Sequence, residues 1–344
     1  MLAGLPLRRR ALLPLAALLG AATSPPTRPG VARLEPHPPD FLTLLVAGPP
    51  RSPVDRWAAL LAPALARSFP AGTVMGREAT GAVDGVTAAN QFEAQASPDG
   101  GTALLLPGAA PLAWLVGDPR AQFDAARWIM AFAGVTPLLL ASRVPLPRIG
   151  PGASLRVAAA DPAGPDLPGL LAVELLGAGV VPVFGAGPKA VARGEADAIL
   201  LRGRGIMPVV RACTEAGAPP VLTLGLTAGA DPRARDPAFP HLPHLAEAIP
   251  PEMAGPLLGA WRVAAMAAQL DAALALPKLT PAAIVALWRR ACAQAAVAPE
   301  LQLEAARLGV RALTTPSDAA VAADASTLLV LRRWLAVRYD WRAS

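Results

Sequence analysis

Short apolar runs alternate with helical segments along most of this chain, and this alternation constrains the fold more than any other feature. An apolar run at 41–46 precedes a segment at 56–69 whose apolar residues recur at helical spacing, and a helix at 86–96 precedes a strand at 102–106. Strands that alternate with helices form parallel βαβ units. The pattern therefore predicts an α/β protein.

The alternation continues through the second half of the chain. Predicted strands lie at 138–142, 155–160, 180–185, 196–200 and 221–224, and predicted helices at 167–176 and 188–193. Residues 258–276 are apolar but are interrupted by Arg262, Gln269 and Asp271, which favours a core helix over a membrane span. Further helices are predicted after Pro281, at 300–308 and at 318–337, so the tail is helical.

Composition and charge narrow the class of protein. The 344 residues are 53% hydrophobic and 16% charged, which suits one large domain or two lobes with a sizeable core. The net charge is +6, with three arginines in Arg8-Arg9-Arg10. After residue 34 no basic block with interleaved aromatic residues occurs, so the charge gives no support for a nucleic-acid partner.

The N-terminus has the form of a signal peptide over residues 1–24. Three arginines precede an apolar run at 11–19, which is too short to span a bilayer, and small residues follow at 20–24. Residues 25–39 form a Pro-rich lead. We expect export to the periplasm, with the general and twin-Arg routes both open; the alternative is a disordered apolar N-terminus.

Neither a metal site nor an enzyme is indicated by the motifs. Cys213 and Cys292 are far apart, and one disulfide and two buried thiols both remain open. The three histidines have no metal-site spacing with them. Gly185-Ala186-Gly187 follows a strand but lacks the remaining glycine of a dinucleotide loop, as does Gly203-Arg204-Gly205. We expect no cofactor, no metal and no catalysis.

Several loop motifs occur in an order that matches a known family. They are Pro49-Pro50-Arg51-Ser52-Pro53-Val54-Asp55 after the first strand, Ser97-Pro98-Asp99-Gly100-Gly101-Thr102 before the apolar strand at 102–106, and Pro240-His241-Leu242-Pro243-His244-Leu245-Ala246-Glu247. Together they resemble the extracytoplasmic receptors of tripartite tricarboxylate transporters, the Bug-type solute-binding proteins. The resemblance covers roughly residues 41–340. Two departures stand out, since Arg51-Ser52 replaces a glycine pair and Asp161 adds a carboxylate to a loop that usually carries Ser, Thr and Gly.

The resemblance implies a two-lobe periplasmic-binding-protein fold with a ligand cleft between the lobes. The first lobe would comprise residues 40–137 plus 260–344, and the second residues 138–259. In the family, the ligand carboxylate is held mainly by backbone N–H groups and ordered water, and the lobes close by a hinge motion.

Ten residues are candidates for the ligand site by this resemblance. Those of the first lobe are Pro50, Arg51, Ser52, Asp55, Gly81 and Gly108, and those of the second are Asp161, Gly164, Phe184 and Asp197. Competing roles are a helix cap for Asp55, a solvated loop charge for Arg51, turns for Gly81 and Gly108, core packing for Phe184 and a surface turn for Asp197. His241 and His244 are assigned no ligand role.

The function implied by the resemblance is capture of a small organic anion for delivery to the membrane subunits of a tripartite transporter, by a monomer. One alternative is a periplasmic ligand sensor for a signalling partner. Another is a degenerate member without carboxylate binding. The sequence does not name the ligand.

Overall fold

The structure is a computed structural model of the chain, and it describes residues 39–226, 235–314 and 323–342. The predicted signal peptide and the Pro-rich lead up to residue 38 lie outside these ranges. Within them, no helix combines the length and the apolar character needed to cross a membrane.

Most of the predicted strands and helices occur in the described ranges in the predicted order, and further elements that the sequence did not indicate lie between them. The strands are β1 (Phe41–Ala47), β2 (Val74–Thr80), β3 (Thr102–Leu106), β4 (Ile129–Val135), β5 (Leu138–Ser142), β6 (Ser154–Ala159), β7 (Gly179–Phe184), β8 (Ala198–Arg202), β9 (Pro220–Thr223), β10 (Leu270–Leu276) and β11 (Arg311–Leu313). The helices are α1 (Pro53–Ala66), α2 (Val86–Gln95), α3 (Ala109–Val116), α4 (Leu167–Leu175), α5 (Pro188–Ala192), α6 (Met207–Glu215), α7 (Leu245–Ala248), α8 (Pro256–Gln269), α9 (Ala282–Ala296), α10 (Pro299–Leu308) and α11 (Ala325–Tyr339).

The strands form two sheets, which define the two lobes. Sheet one, in the first lobe, has the order β11-β4-β10-β3-β1-β2, and sheet two, in the second lobe, has the order β7-β6-β8-β5-β9. In sheet one β1 pairs with β2 and β3 in parallel, whereas β10 is antiparallel to β3 and β4. In sheet two β6 is parallel to β7 and β8, whereas β5 is antiparallel to β8 and β9.

The chain crosses between the sheets at two adjacent places. Residues 136–137 link β4 of sheet one to β5 of sheet two, and the end of α8 leads back into β10. The two crossings are tied together, because Thr136 N–H donates to the Gln269 carbonyl at 2.9 Å. The buried Gln269 side chain also accepts from Leu226 N–H at 2.9 Å. The lobe limits at 137/138 and 259/260 stay a prediction.

One apolar core extends across both lobes, and a second lies on the other face of sheet one. The shared core includes Leu104 of β3, Leu140 of β5 and Leu170 of α4, with α8 packed against α4 and α11. On the opposite face of sheet one, α1 and α9 bury Trp57 and Trp288. Helix α8 is therefore fixed between the two lobes by burial of apolar surface.

One predicted element is wrong. Residues 258–276 were expected to form a single helix, but helix α8 ends at Gln269 and the next seven residues are the strand β10. The strand lies between β4 and β3, so both of its faces are covered and most of its residues are buried. A strand buried on both faces shows no polar alternation, which is why its sequence resembles that of a buried helix.

Candidate ligand-binding cleft

A cleft of about 230 Å³ lies between the two sheets. The first lobe lines it with the loops that follow β1, β2 and β3 and with the start of β10, and the second lobe with Pro165, Arg202 and Gly203. These second-lobe residues follow or end β6 and β8. The cleft therefore lies at the carboxyl ends of parallel strands, where α/β sheets bind ligands.

Helix α1 begins at the cleft with a complete cap. The buried Ser52 Oγ accepts the N–H of Asp55 at 3.2 Å, and the Asp55 carboxylate accepts the N–H of Arg51 at 2.7 Å. Asp55 also lies 3.7 Å from the Arg77 guanidinium. Ser52 is thus the N-cap of α1 and lines the cleft, whereas Asp55 is an acid of the first helical turn, bonded to the preceding loop, and lies outside the lining.

Pro50 and Arg51 are exposed and lie outside the cleft lining. Arg51 has a positive φ of 68°, a conformation that glycine adopts without a steric cost. This is the position at which the family that the sequence resembles carries a glycine pair. Arg51 therefore adopts a backbone conformation that favours glycine.

Gly108 is in the cleft lining because α3 begins very close to the crossing between α8 and β10. A Cβ at Gly108 would lie 1.9 Å from the Ala267 carbonyl oxygen and 2.9 Å from Leu270 Cβ. The Gly108 N–H donates to the Leu270 carbonyl at 3.3 Å. A glycine is required here by the approach of two backbones, which a side chain would separate.

Charged groups in the cleft come from both lobes. Among the described residues that line it, the charged ones are Arg202 and Asp271. The Asp271 carboxylate accepts two hydrogen bonds from Arg204 of the second lobe, at 2.6 Å and 2.7 Å, and one from the Trp57 indole N–H. Arg204 also donates to the Pro53 carbonyl at 3.1 Å. The Arg204–Asp271 ion pair joins the two lobes at the side of the cleft.

Arg202 is the cationic side chain that faces the cleft. Its side chain is 36% exposed, and its guanidinium lies 3.4 Å from the Asp166 carboxylate. Asp166 is shared with another donor, because it accepts the Ala160 N–H at 2.8 Å. The sequence interpretation missed Arg202, Arg204 and Asp271, although two arginines at the end of an apolar strand are a usable signal for an anion site.

Asp161 and Gly164 line a smaller hollow of about 180 Å³ beside the cleft. The two spaces share Ala109, Leu112 and Pro165. The Asp161 carboxylate accepts the N–H of Ala163 at 2.8 Å and so closes its own turn. The carboxylate that Asp161 adds to this loop is therefore hydrogen-bonded within its own turn.

The other three candidates lie elsewhere. Gly81 forms the turn after β2 with a φ of 79°. Phe184 packs edge-to-face on Tyr339, with ring centroids 6.0 Å apart. Asp197 precedes β8, five residues before Arg202 and so about 16 Å along the strand. It is paired with Arg156 at 2.7 Å, and these hydrogen bonds hold the pKa of the Asp197 carboxyl below its ordinary value.

The cysteines are both free and buried. Cys213 of α6 and Cys292 of α9 belong to different apolar clusters. Burial raises the pKa of the Cys292 thiol to about 12, so it stays protonated at neutral pH. Within the described ranges, no group of three or more His, Cys, Asp or Glu side chains is placed to hold a metal ion.

The fold is similar to that of a TctC solute binding protein from Polaromonas, with a TM-score of 0.62 and 16% identity over 86% of this chain and 97% of that one. Other similar structures are the periplasmic binding protein BugD, with a TM-score of 0.44, 18% identity and coverages of 86% and 95%, and MatC from Rhodopseudomonas palustris with bound malate, with a TM-score of 0.44, 21% identity and coverages of 86% and 97%. No protein-family model and no curated protein sequence matches the chain.

The chain therefore has the two-lobe α/β fold of a TctC-type solute-binding protein. This confirms the fold that the loop motifs predicted. At 16% identity the likeness establishes the architecture, so the ligand has to be argued from the side chains of the cleft itself.

Proposed function

We propose that the protein is an extracytoplasmic solute-binding receptor that captures a small organic anion between its lobes. The observation that carries the proposal is the cleft lined by both lobes, with the Arg202 guanidinium facing it and helices α1 and α3 beginning at its wall. Backbone N–H groups at helix starts favour anions. The volume of about 230 Å³ is below that of pockets for drug-sized ligands and suits a small acid.

We further propose that the receptor acts in the periplasm as a monomer, with lobes of 40–137 plus 260–344 and 138–259, and delivers its ligand to the membrane subunits of a tripartite tricarboxylate-type transporter. The fold similarity to a TctC protein and the order of the loop motifs support this proposal.

Capture follows from the charge and the two-lobe arrangement. An incoming carboxylate forms charge-assisted hydrogen bonds with Arg202 of the second lobe and contacts the helix starts of the first. Because one ligand then contacts both lobes, it binds the closed arrangement more tightly than the open one and shifts the population towards closure. The apolar lining of the cleft strengthens these polar contacts by excluding water.

A thermal-shift screen of the chain from residue 25 against small carboxylates tests this function. A ligand at about 100 times its Kd stabilises the folded protein by about 2.7 kcal/mol, which is a clear rise in Tm. We expect Arg202→Gln to abolish the shift. Arg51→Ala, the change at the other candidate arginine, is the parallel variant, and loss of the shift there instead would move the anion to the loop after β1. A folded sample that responds to no acid would contradict the proposal and favour a member without carboxylate binding.

A further inference from the structure

Among the described residues, Arg202 lines the cleft and Arg204 borders it through its bonds to Asp271, and these two guanidinium groups differ in what they already bind. Arg204 forms a two-point pair with Asp271 at 2.6 Å and 2.7 Å, and both side chains are largely buried, with 18% and 10% exposed. Arg202 has a single longer contact with Asp166 at 3.4 Å and is more exposed. Of these two, Arg202 is therefore the one placed to accept a new carboxylate without losing a strong partner.

We propose that Asp271 restricts the cleft to ligands with one carboxylate and an apolar body. This inference rests on the proposed function and names its substrate class. The Asp271 carboxylate binds Arg204 in the way that a second carboxylate of a ligand would. The protein itself therefore supplies the negative charge that Arg204 binds. A monocarboxylate then completes the site by binding Arg202.

Once a first carboxylate occupies Arg202 and the helix starts, a second ligand carboxylate finds no further cation among the described residues that line the cleft. Beside Asp271 it meets a carboxylate of the same charge, and like charges in a partly desolvated space repel strongly. Elsewhere it meets apolar side chains such as Val54, Val83, Leu112 and Leu270. The two hydroxyls of the lining already have partners, since Ser52 accepts the Asp55 N–H and Thr136 donates to the Gln269 carbonyl. An ionised group placed on such a wall loses hydration without gaining a partner. Both positions penalise a dicarboxylate.

Displacement of Asp271 by a ligand is also unfavourable. Its carboxylate accepts the indole N–H of Trp57, a side chain that is 1% exposed, in addition to both bonds from Arg204. A ligand that took over Arg204 would leave the Asp271 carboxylate buried with one neutral donor. Arg204 is held in place independently by its bond to the Pro53 carbonyl at 3.1 Å. The pair is therefore part of the cleft wall.

Calorimetric titration of the wild-type chain from residue 25 tests the proposal with acids matched in length. The probes are butanoate against succinate, pentanoate against glutarate, and hexanoate against adipate. We expect at least one monocarboxylate to bind, and to bind at least about tenfold tighter than its dicarboxylate partner. Equal or tighter binding of the dicarboxylates would overturn the inference and leave the proposed function standing. Binding of neither kind would overturn both.

The variant Asp271→Asn identifies the cause of the selectivity. The amide oxygen still accepts from Trp57, whereas the negative charge is gone and Arg204 becomes able to bind a second carboxylate. We expect the ratio of the two affinities to fall about tenfold or to reverse. The matched control is Glu195→Gln, which removes the same charge from the exposed pair with Arg193 at 2.5 Å and 2.8 Å. A folded Asp271→Asn protein that keeps the wild-type ratio would refute the role of Asp271.

Discussion

Two arginine–aspartate pairs of nearly the same geometry occupy different settings in this molecule. Arg204 and Asp271 are 18% and 10% exposed and join the two lobes at the cleft, whereas Arg156 and Asp197 are 48% and 21% exposed and lie within the second lobe. A pair in water contributes little, because solvent screens it and competes for its hydrogen bonds. A largely buried pair is costly to break, because the remaining charge stays desolvated. The comparison shows that position decides what an ion pair does.

Removal of the Asp271 carboxylate should have the largest effect on the free energy of unfolding. In Asp271→Ala, the Trp57 indole N–H loses its acceptor, and Arg204 keeps only its bond to the Pro53 carbonyl. We expect a loss of about 3 kcal/mol in the free energy of unfolding, at the low end for buried pairs because the Arg204 side chain is 18% exposed and keeps part of its hydration. Urea unfolding measures it, with Asp197→Ala as the matched change at the exposed pair. A loss at Asp271 no greater than that at Asp197 would remove the distinction between the two settings.

The close backbone approach beside the cleft is the next point to test. In Gly108→Ala the new Cβ would lie 1.9 Å from the Ala267 carbonyl oxygen, so α3 or α8 has to move. Overpacking of this kind costs about 2 kcal/mol. Gly187→Ala is the control, because no atom lies within 4 Å of a Cβ there and φ is −134°. Thermal denaturation should separate the two variants, and equal Tm values would show that the approach is not tight.

The Trp57 indole N–H, which binds the Asp271 carboxylate, should contribute more to the free energy of unfolding than an indole N–H that binds a neutral carbonyl. Trp57→Phe keeps most of the aromatic packing but removes the N–H that binds the Asp271 carboxylate. We expect a loss of about 1.5 kcal/mol, since hydrogen bonds to charged groups exceed neutral ones. Trp288→Phe removes a bond to the neutral Gly100 carbonyl at 3.0 Å and should cost about 1 kcal/mol. Chemical unfolding of both proteins measures the two losses. A larger loss for Trp288→Phe than for Trp57→Phe would contradict the assigned role of Trp57.

The exposed pair should appear mainly in the acid dependence of stability. Hydrogen bonds from Arg156 hold the folded-state pKa of Asp197 below its ordinary value. Its contribution is therefore present above pH about 4 and is lost as pH falls through the folded-state pKa. We expect Asp197→Asn to lower Tm slightly at pH 7 and to make Tm fall less steeply below pH about 4. Tm is measured from neutral to acidic pH for the wild type and for Asp197→Asn. If the two proteins lose Tm equally steeply in acid, the pair with Arg156 does not stabilise the folded protein through Asp197.

Much of the fold was predictable, because the strands and helices that alternate most clearly occur where the sequence indicates. Strands β2 and β4 and helices α3 and α6 had no clear signal. Strand β2 (Val74–Thr80) is a largely exposed edge strand without alternation, and α3 (Ala109–Val116) is short and contains Pro111. Strand β10 was wrong because burial on both faces hides its period. Apolar and polar residues alternate along an element when one of its faces is buried and the other is exposed. When both faces are buried, or both are exposed, the alternation is absent and the element cannot be recognised from it.

The cleft was less predictable than the fold. Ser52 and Gly108 were expected near the ligand and lie in the cleft lining, whereas the candidates Phe184 and Asp197 lie outside it. The charged members, Arg202 and Asp271, belong to none of the loop motifs that resemble the family. Arg204 and Asp271 are 67 residues apart in sequence and meet only because the chain crosses between the sheets. A side-chain pair of that separation leaves no local pattern.

The sequence by itself determined the alternation of strands and helices, the capped start of α1 and the loop order that resembles Bug-type receptors, because these depend on neighbours within a few residues. Only the tertiary structure decided which charges face the cleft. The same chemical pair is a lobe-joining contact at Asp271 and an exposed pair at Asp197, since burial and the approach of a second lobe are properties of the assembled chain. The physical reason is that solvent exclusion, which sets the strength of a charge, is determined by distant segments.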